Sequence, residues 1–141
     1  MKPKPFRPTE HEEQKAVLQW ASWNAPHMPE LALLFSIPNG ARTAIRQAGK
    51  LKAEGLKAGV PDLFLPAPKR DLRGQILHGL FIEMKCETGR ASRQQTAWIK
   101  ALRAAGYGAI ICFSAEEAIV AITQYLDGGT AVDQLEGRPW Q

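Results

Sequence analysis

Cysteine is nearly missing from this chain. Cys86 and Cys112 are the only two, both in apolar settings and without the paired spacing of a metal site. That scarcity argues against a disulfide framework and leads us to expect a reduced, cytoplasmic setting. Long apolar runs are missing too. No segment approaches the roughly 20 apolar residues of a membrane helix, and the start, MKPKPFRPTEHEE, lacks the apolar centre of a secretory signal. No membrane partner is therefore expected. No GxxxxGK[ST] loop occurs, which disfavours a nucleotide-hydrolysing machine. HEEQK lacks the second histidine of HExxH, and His11, His27 and His78 show no ligand spacing. No recognition-helix or zinc-finger spacing is present, so base readout is not expected.

What remains is an ordinary globular composition. The chain has 141 residues, enough for one core, with 45% hydrophobic and 23% charged residues. Its net charge of +4 permits a polyanionic partner without proving one.

Residues 1–8, with Pro3, Pro5 and Pro8, read as a flexible arm. Thr9 then opens a helix with capping-box spacing to Glu12, and Ala16, Val17, Trp20 and Ala21 form its apolar face. LALLFSI reads as a buried strand closed by the PNG turn. A second helix is predicted from Ala41, stopping at Gly55. The strands PDLFLP and GLFIEMKCE follow, joined by a polar connector over residues 67–78. Ser92 opens a third helix, AIICF is another strand, and Ser114 caps a last helix. Residues 127–141 show no period. The order αβαββαβα predicts an α/β fold: a mixed sheet of about four strands flanked by helices, in a single domain over residues 9–126.

One constellation carries chemistry. Side chains alternate along a strand, so Glu83 and Lys85 point the same way and Met84 points to the other face. If the strand that begins at Asp62 pairs with the next one, Asp62 and Glu83 meet at one end of the sheet. Converging carboxylates raise each other's pKa. A hard divalent cation, Mg²⁺ or Mn²⁺, relieves that conflict, and Asp62, Glu83 and a backbone carbonyl suit it. Lys85 beside it suits holding water or a phosphate oxygen. Metal-assisted phosphodiester hydrolysis is the reaction these groups fit. The competing reading is a solvated Glu–Lys pair, which is common by chance.

Arg42, Arg46 and Lys50 recur every four residues on the second helix. They form either a solvated face or a phosphate-binding rail. Lys69, Arg70 and Arg73 in the connector, and Arg90 and Arg93 near the third helix, are further candidates.

GVPDLFLP, GLFIEMKCETGRASRQQTAW and the upstream SIPNGA together resemble the virus-type replication-repair nuclease (VRR-NUC) family of the PD-(D/E)xK superfamily, over roughly residues 9–126. The resemblance implies a restriction-endonuclease-like fold and divalent-metal cleavage of DNA. Asp62 and Glu83 would be the metal-binding acids, Lys85 the catalytic lysine, and Gln95 the glutamine of an S-x-x-Q-x-x-W element. A first-helix acid would join the metal. Glu10 matches the family pattern with Gln14 one turn on, and Glu13 stays open as the alternative. Asn39 would touch the substrate. Stand-alone members look like Holliday-junction resolvases, which implies branched DNA as substrate, a homodimer, and a phage or bacterial setting. A flap or nicking subunit of a larger complex and a non-catalytic DNA-binding module are the rival expectations. Ser92 and Gln95 also have capping-box spacing, which explains the glutamine without catalysis. Trp98 is expected in the core.

Overall fold

The computed structural model describes residues 1–38 and 45–128, without the side chains of residues 45–48. Residues 1–9 form no helix or strand and are exposed. The first helix, α1 (Glu10–Asn24), starts at the predicted box: Glu12 N–H donates to Thr9 Oγ1, and Glu12 Oε2 accepts from Thr9 N–H at 2.7 Å. Its buried side chains are Val17 and Ala21, with Leu18 and Trp20 packed partly against the core. Ala16 is exposed, unlike the expectation.

The long strand expected from LALLFSI is not there. Pro29 begins a short 3₁₀ turn (Pro29–Leu33), and only Phe35–Ser36, strand β1, is extended. Leu31 and Leu34 are the buried residues, three apart, which is the 3₁₀ repeat and not strand alternation. Proline at the first turn supplies a preset φ and lacks the N–H that a ladder would use. The second helix, α2 (Ile45–Ala53), is described only from Ile45, so its predicted start at Ala41 lies outside the described residues.

Strand β2 (Leu63–Leu65) follows, then a hairpin within the connector: β3 (Lys69–Arg70) pairs antiparallel with β4 (Ile76–Leu77). The sequence marked this connector only as polar. Its turn is organised by Asp71, whose Oδ1 accepts from the N–H groups of Arg73 (2.9 Å) and Gln75 (2.8 Å). Strand β5 (Leu80–Met84), helix α3 (Arg93–Ala104), strand β6 (Gly108–Cys112) and helix α4 (Ala115–Asp127) complete the described chain. Ser92 and Ser114 cap α3 and α4 as predicted, each accepting from the backbone N–H three residues on.

The main sheet has the order β1-β2-β5-β6. β1–β2 and β2–β5 are antiparallel and β5–β6 is parallel, the mixed four-strand sheet that the element order implied. Alternation then sorts the side chains. Leu63, Leu65, Leu80, Ile82, Met84, Ile110 and Cys112 point to the face covered by α1 and α4, where they meet Val17, Ala21, Ala118, Ile122 and Tyr125 in one core. Tyr125 is fully buried there and its hydroxyl donates to the Ala67 carbonyl at 2.6 Å. Asp62, Phe64, Phe81 and Glu83 occupy the opposite face. Among the described residues no helix is long and apolar enough to cross a membrane.

Candidate active site

Register brings the two acids together. Leu63 lies opposite Ile82, so the residue before the first and the residue after the second sit side by side at one end of the β2–β5 ladder. Pro61, fully buried, fixes the chain just ahead of Asp62. Asp62 Oδ2 accepts from the Met84 N–H at 2.8 Å, which carries the ladder one step past its last regular pair. On the other side, the Ile37 N–H donates to the Asp62 carbonyl at 2.7 Å. The residues after β1 therefore approach the same end of the sheet.

Glu83 is 1% exposed and Lys85 7%. Their charges are 3.4 Å apart, Lys85 Nζ to Glu83 Oε1. Burial of this kind rules out the solvated surface pair that the sequence left open. The same Oε1 accepts from Gln95 Nε2 at 2.7 Å. Glu83 Oε2, equally buried, meets no donor group among the described residues, its neighbour being the Asp62 carboxyl. Both donors thus converge on one oxygen and leave the other bare, an arrangement a buried carboxylate does not favour unless something else faces it.

The electrostatics follow from that geometry. Burial first, and the neighbouring Asp62 charge second, push the Glu83 carboxyl up to about 8, against the opposing pull of Lys85. Asp62 is also raised, chiefly by burial, while the Met84 N–H and Lys85 act the other way. Glu10 raises both through its charge.

Glu10 and Glu13 have different surroundings. Glu13 Oε2 accepts from the Ala115 N–H at 2.5 Å, capping the start of α4. Glu10, at the first position of α1, faces the turn after β5: a Cβ built on Gly89 would lie 3.2 Å from Glu10 Oε1. A cleft of about 1210 Å³ opens here, lined among others by Arg7, Glu10, His11, Cys86 and Arg90. Asp62, Glu83 and Gln95 are not among its walls, so the cleft adjoins the carboxylate pair without containing it.

Gln95 does both things the sequence allowed. Its Oε1 accepts from the Ser92 N–H at 2.8 Å, completing the capping box, while its Nε2 holds Glu83. Trp98 was expected in the core, yet it is only partly buried, and its indole N–H donates to the Ala58 carbonyl at 3.0 Å. Gly59, the next residue, has φ +90°, and a Cβ there would lie 2.7 Å from the Gln94 carbonyl carbon. This close approach presses the loop leading to Asp62 against the first turn of α3, which carries Gln95.

The basic candidates are less concentrated. Asn39 and Arg42 lie outside the described residues, as does the side chain of Arg46 on α2. Lys50 is exposed on that helix. Lys69 pairs with Glu30 of the 3₁₀ turn at 3.1 Å, tying the hairpin to that turn, and Arg70 donates to the Gly74 carbonyl within the hairpin. Sequence reasoning did not find the Trp98–Ala58 bond, the Gly59–Gln94 contact or the Glu13 cap. All three link residues far apart in the chain. It also overlooked Phe64 and Phe81, although each lies two positions from an acid and so shares its face.

A family model described as the VRR-NUC domain matches residues 5–116. The chain belongs to the VRR-NUC family. A solved structure described as a VRR_NUC domain protein superposes with a TM-score of 0.68 at 28% identity, covering 92% of this chain and 93% of that one. The search among curated proteins gave no match. The VRR-NUC domain makes this a member of a nuclease family, and the mixed sheet with flanking helices is the expected VRR-NUC architecture.

A divalent ion fits the residues of this VRR-NUC site. The buried Glu83 Oε2 beside Asp62 is an oxygen on which a hard cation can take the place of a proton, relieving the burial and charge repulsion that raise both carboxyls. Among the described residues no three His, Cys, Asp or Glu side chains gather closely enough to hold an ion by themselves. Two carboxylates, a backbone carbonyl and waters are the set that remains, which suits an ion that keeps several waters.

Proposed function

We propose that the protein is a Mg²⁺- or Mn²⁺-dependent DNA endonuclease that cuts branched DNA such as four-way junctions, acting as a homodimer. The observation that carries this reading is the Glu83 carboxylate: buried, held on one oxygen by Gln95 and Lys85, and bare on the other beside Asp62. In a purely structural role such a group would be unfavourable against an apolar replacement of similar size.

Asp62 and Glu83 would hold the ion, with Glu10 near enough to add its charge. When bound, the ion supplies charge neutralisation at the phosphate and a more acidic water. Gln95 fixes the orientation of Glu83 by a bond that cannot be made with the amide reversed, because its oxygen is engaged by Ser92. Lys85, with one donor directed at Glu83, has others to orient water or a phosphate oxygen. Water adds to phosphorus, the bond from phosphorus to the leaving sugar oxygen breaks, and that oxygen takes up a proton. Asn39, Arg42, Arg46 and Lys50 would contact the phosphate backbone, a shape-based and sequence-independent mode.

The test is cleavage of labelled four-way junction, flap and duplex DNA with Mg²⁺ or Mn²⁺, mapped on every strand. Paired symmetric nicks in the junction are expected from wild type, and none from Asp62→Ala or Glu83→Ala. Equal activity in those variants and wild type would overturn the assignment. Binding that weakens with salt, without turnover, would instead mark a non-catalytic DNA-binding module.

A further inference from the structure

The face of the sheet that carries the two acids also carries a row of aromatic rings two residues along the strands. Phe35 lies opposite Phe64, and Phe64 opposite Phe81, across β1, β2 and β5. Phe64 and Phe81 are stacked, centroids 4.1 Å apart and 18° from parallel. Tyr107 packs edge-on against both, at 6.0 and 5.4 Å. Gly79 makes room for the stack, since a Cβ there would lie 2.7 Å from Phe64 Cε2. Phe35 stands at 84° to Phe64 with centroids 5.8 Å apart, and it is 48% exposed.

The inner rings use their faces on one another. Phe35 is the most exposed of the four, and Phe64, itself backed by Phe81 and Tyr107, holds it from one side. Among the described residues α3 is the helix with substantial packing on this face, and it lies over β6, at the far end from Phe35. Such a half-exposed ring on a two-residue edge strand adds little to the core.

We infer that Phe35 is a stacking site for an unpaired nucleobase of the DNA strand whose phosphodiester lies at Asp62 and Glu83. The inference rests on the nuclease reading and, within branched DNA, favours forms with unpaired nucleotides beside the cut, a flap or a junction opened at its branch point, over fully paired arms. Continuity with the acids favours this occupant. Strand geometry puts Phe35 roughly 8 Å from Asp62, two residues along β2 and one strand across, which is two to three nucleotide rises. A ring face accepts any base, in keeping with a site that has no base-edge readout. Fully paired DNA keeps its bases stacked on one another and gives Phe35 nothing to hold. A second copy of the chain is the competing occupant, but a two-residue edge offers too short a ladder for strand pairing.

The experiment uses the full chain with Ca²⁺ and two DNAs carrying 2-aminopurine at the same position. In the flap that position is the first unpaired nucleotide, and in the duplex it is paired. Phe35→Ala and Phe35→Leu are expected to weaken flap binding about tenfold and to abolish the fluorescence change on binding. Duplex affinity should stay within about twofold, and Phe35→Trp, which keeps a stacking face, should retain the flap preference. Unchanged flap affinity in Phe35→Ala would overturn the inference, as would an equal loss on both DNAs. A shift from dimer to monomer with unchanged DNA binding would assign the ring to a second copy and overturn it as well. Metal-dependent cleavage of the same DNAs by wild type is scored separately, so a failure of the nuclease reading is distinguishable from a failure of the stacking site.

Discussion

Gln95 and Glu83 are joined by a 2.7 Å hydrogen bond, and the same glutamine closes the capping box of α3 through Ser92. One side chain therefore couples the start of a helix to a buried carboxylate twelve residues earlier. The coupling explains why a glutamine is more useful here than a glutamate, which could complete the box but would set a second negative charge against Glu83.

The two roles separate by mutation. Ser92→Ala removes the hydroxyl cap and should lower stability by about 1 kcal/mol, with cleavage by the folded enzyme little changed. Gln95→Ala should lower stability similarly and also slow cleavage at least about tenfold, because Glu83 loses its orienting donor. Urea melts and single-turnover rates on the two variants check this. Equal rates in both would confine Gln95 to capping.

The acid pair predicts a pH dependence of stability with a definite sign. Glu83 titrates near 4.5 when unfolded and is pushed up to about 8 when folded. Between these values the native state binds more protons than the unfolded one, so stability falls as pH rises through that window. Asp62, also raised, contributes in the same direction. In chelator, wild type should lose on the order of a few kcal/mol between pH 5 and 9, and Glu83→Gln should lose much less. Urea melts across that range measure the slope. A flat wild-type profile would show that Glu83 is not strained by its surroundings.

Glu10 and Glu13 should behave oppositely. Glu13→Ala removes the acceptor for the Ala115 N–H and should destabilise by about 1 kcal/mol, leaving the rate of the folded enzyme intact. Glu10→Gln removes a charge that disfavours ionisation of both Asp62 and Glu83. It should leave stability unchanged or slightly higher while raising the Mg²⁺ concentration needed for half-maximal cleavage. Metal titrations of both variants decide between the two acids.

The loop before Asp62 is held by contacts to α3, and loosening it should reach the chemistry. Gly59→Ala forces a Cβ into the Gln94 backbone at positive φ and should destabilise by about 1–3 kcal/mol. Trp98→Phe keeps the ring but loses the N–H to Ala58, a loss of about 1 kcal/mol. Both should lower kcat more than they raise KM, since Asp62 shifts relative to Glu83 while the basic surface is untouched. A change in KM alone would place Trp98 in DNA binding.

Local rules read well from this chain where local forces decide. The capping boxes at Thr9 and Ser92, the buried faces of β2 and β5, and the shared side of Glu83 and Lys85 follow from short spacings. Local rules misread the segment before β1, where a run of leucines fits a strand and a 3₁₀ turn equally until Pro29 and the core choose. They also had no means of seeing that residues 67–78 would close on themselves through Asp71.

By itself, the order of residues determined which groups are available and on which side of each strand they stand, because alternation and capping are set by neighbours in the chain. Only the tertiary structure decided that Glu83 is bare on one oxygen, that Glu13 is engaged by α4 while Glu10 is not, and that Phe35 joins the acidic face. Those outcomes depend on desolvation and on contacts between segments distant in sequence, and both come into being only when the sheet and its helices close around the site.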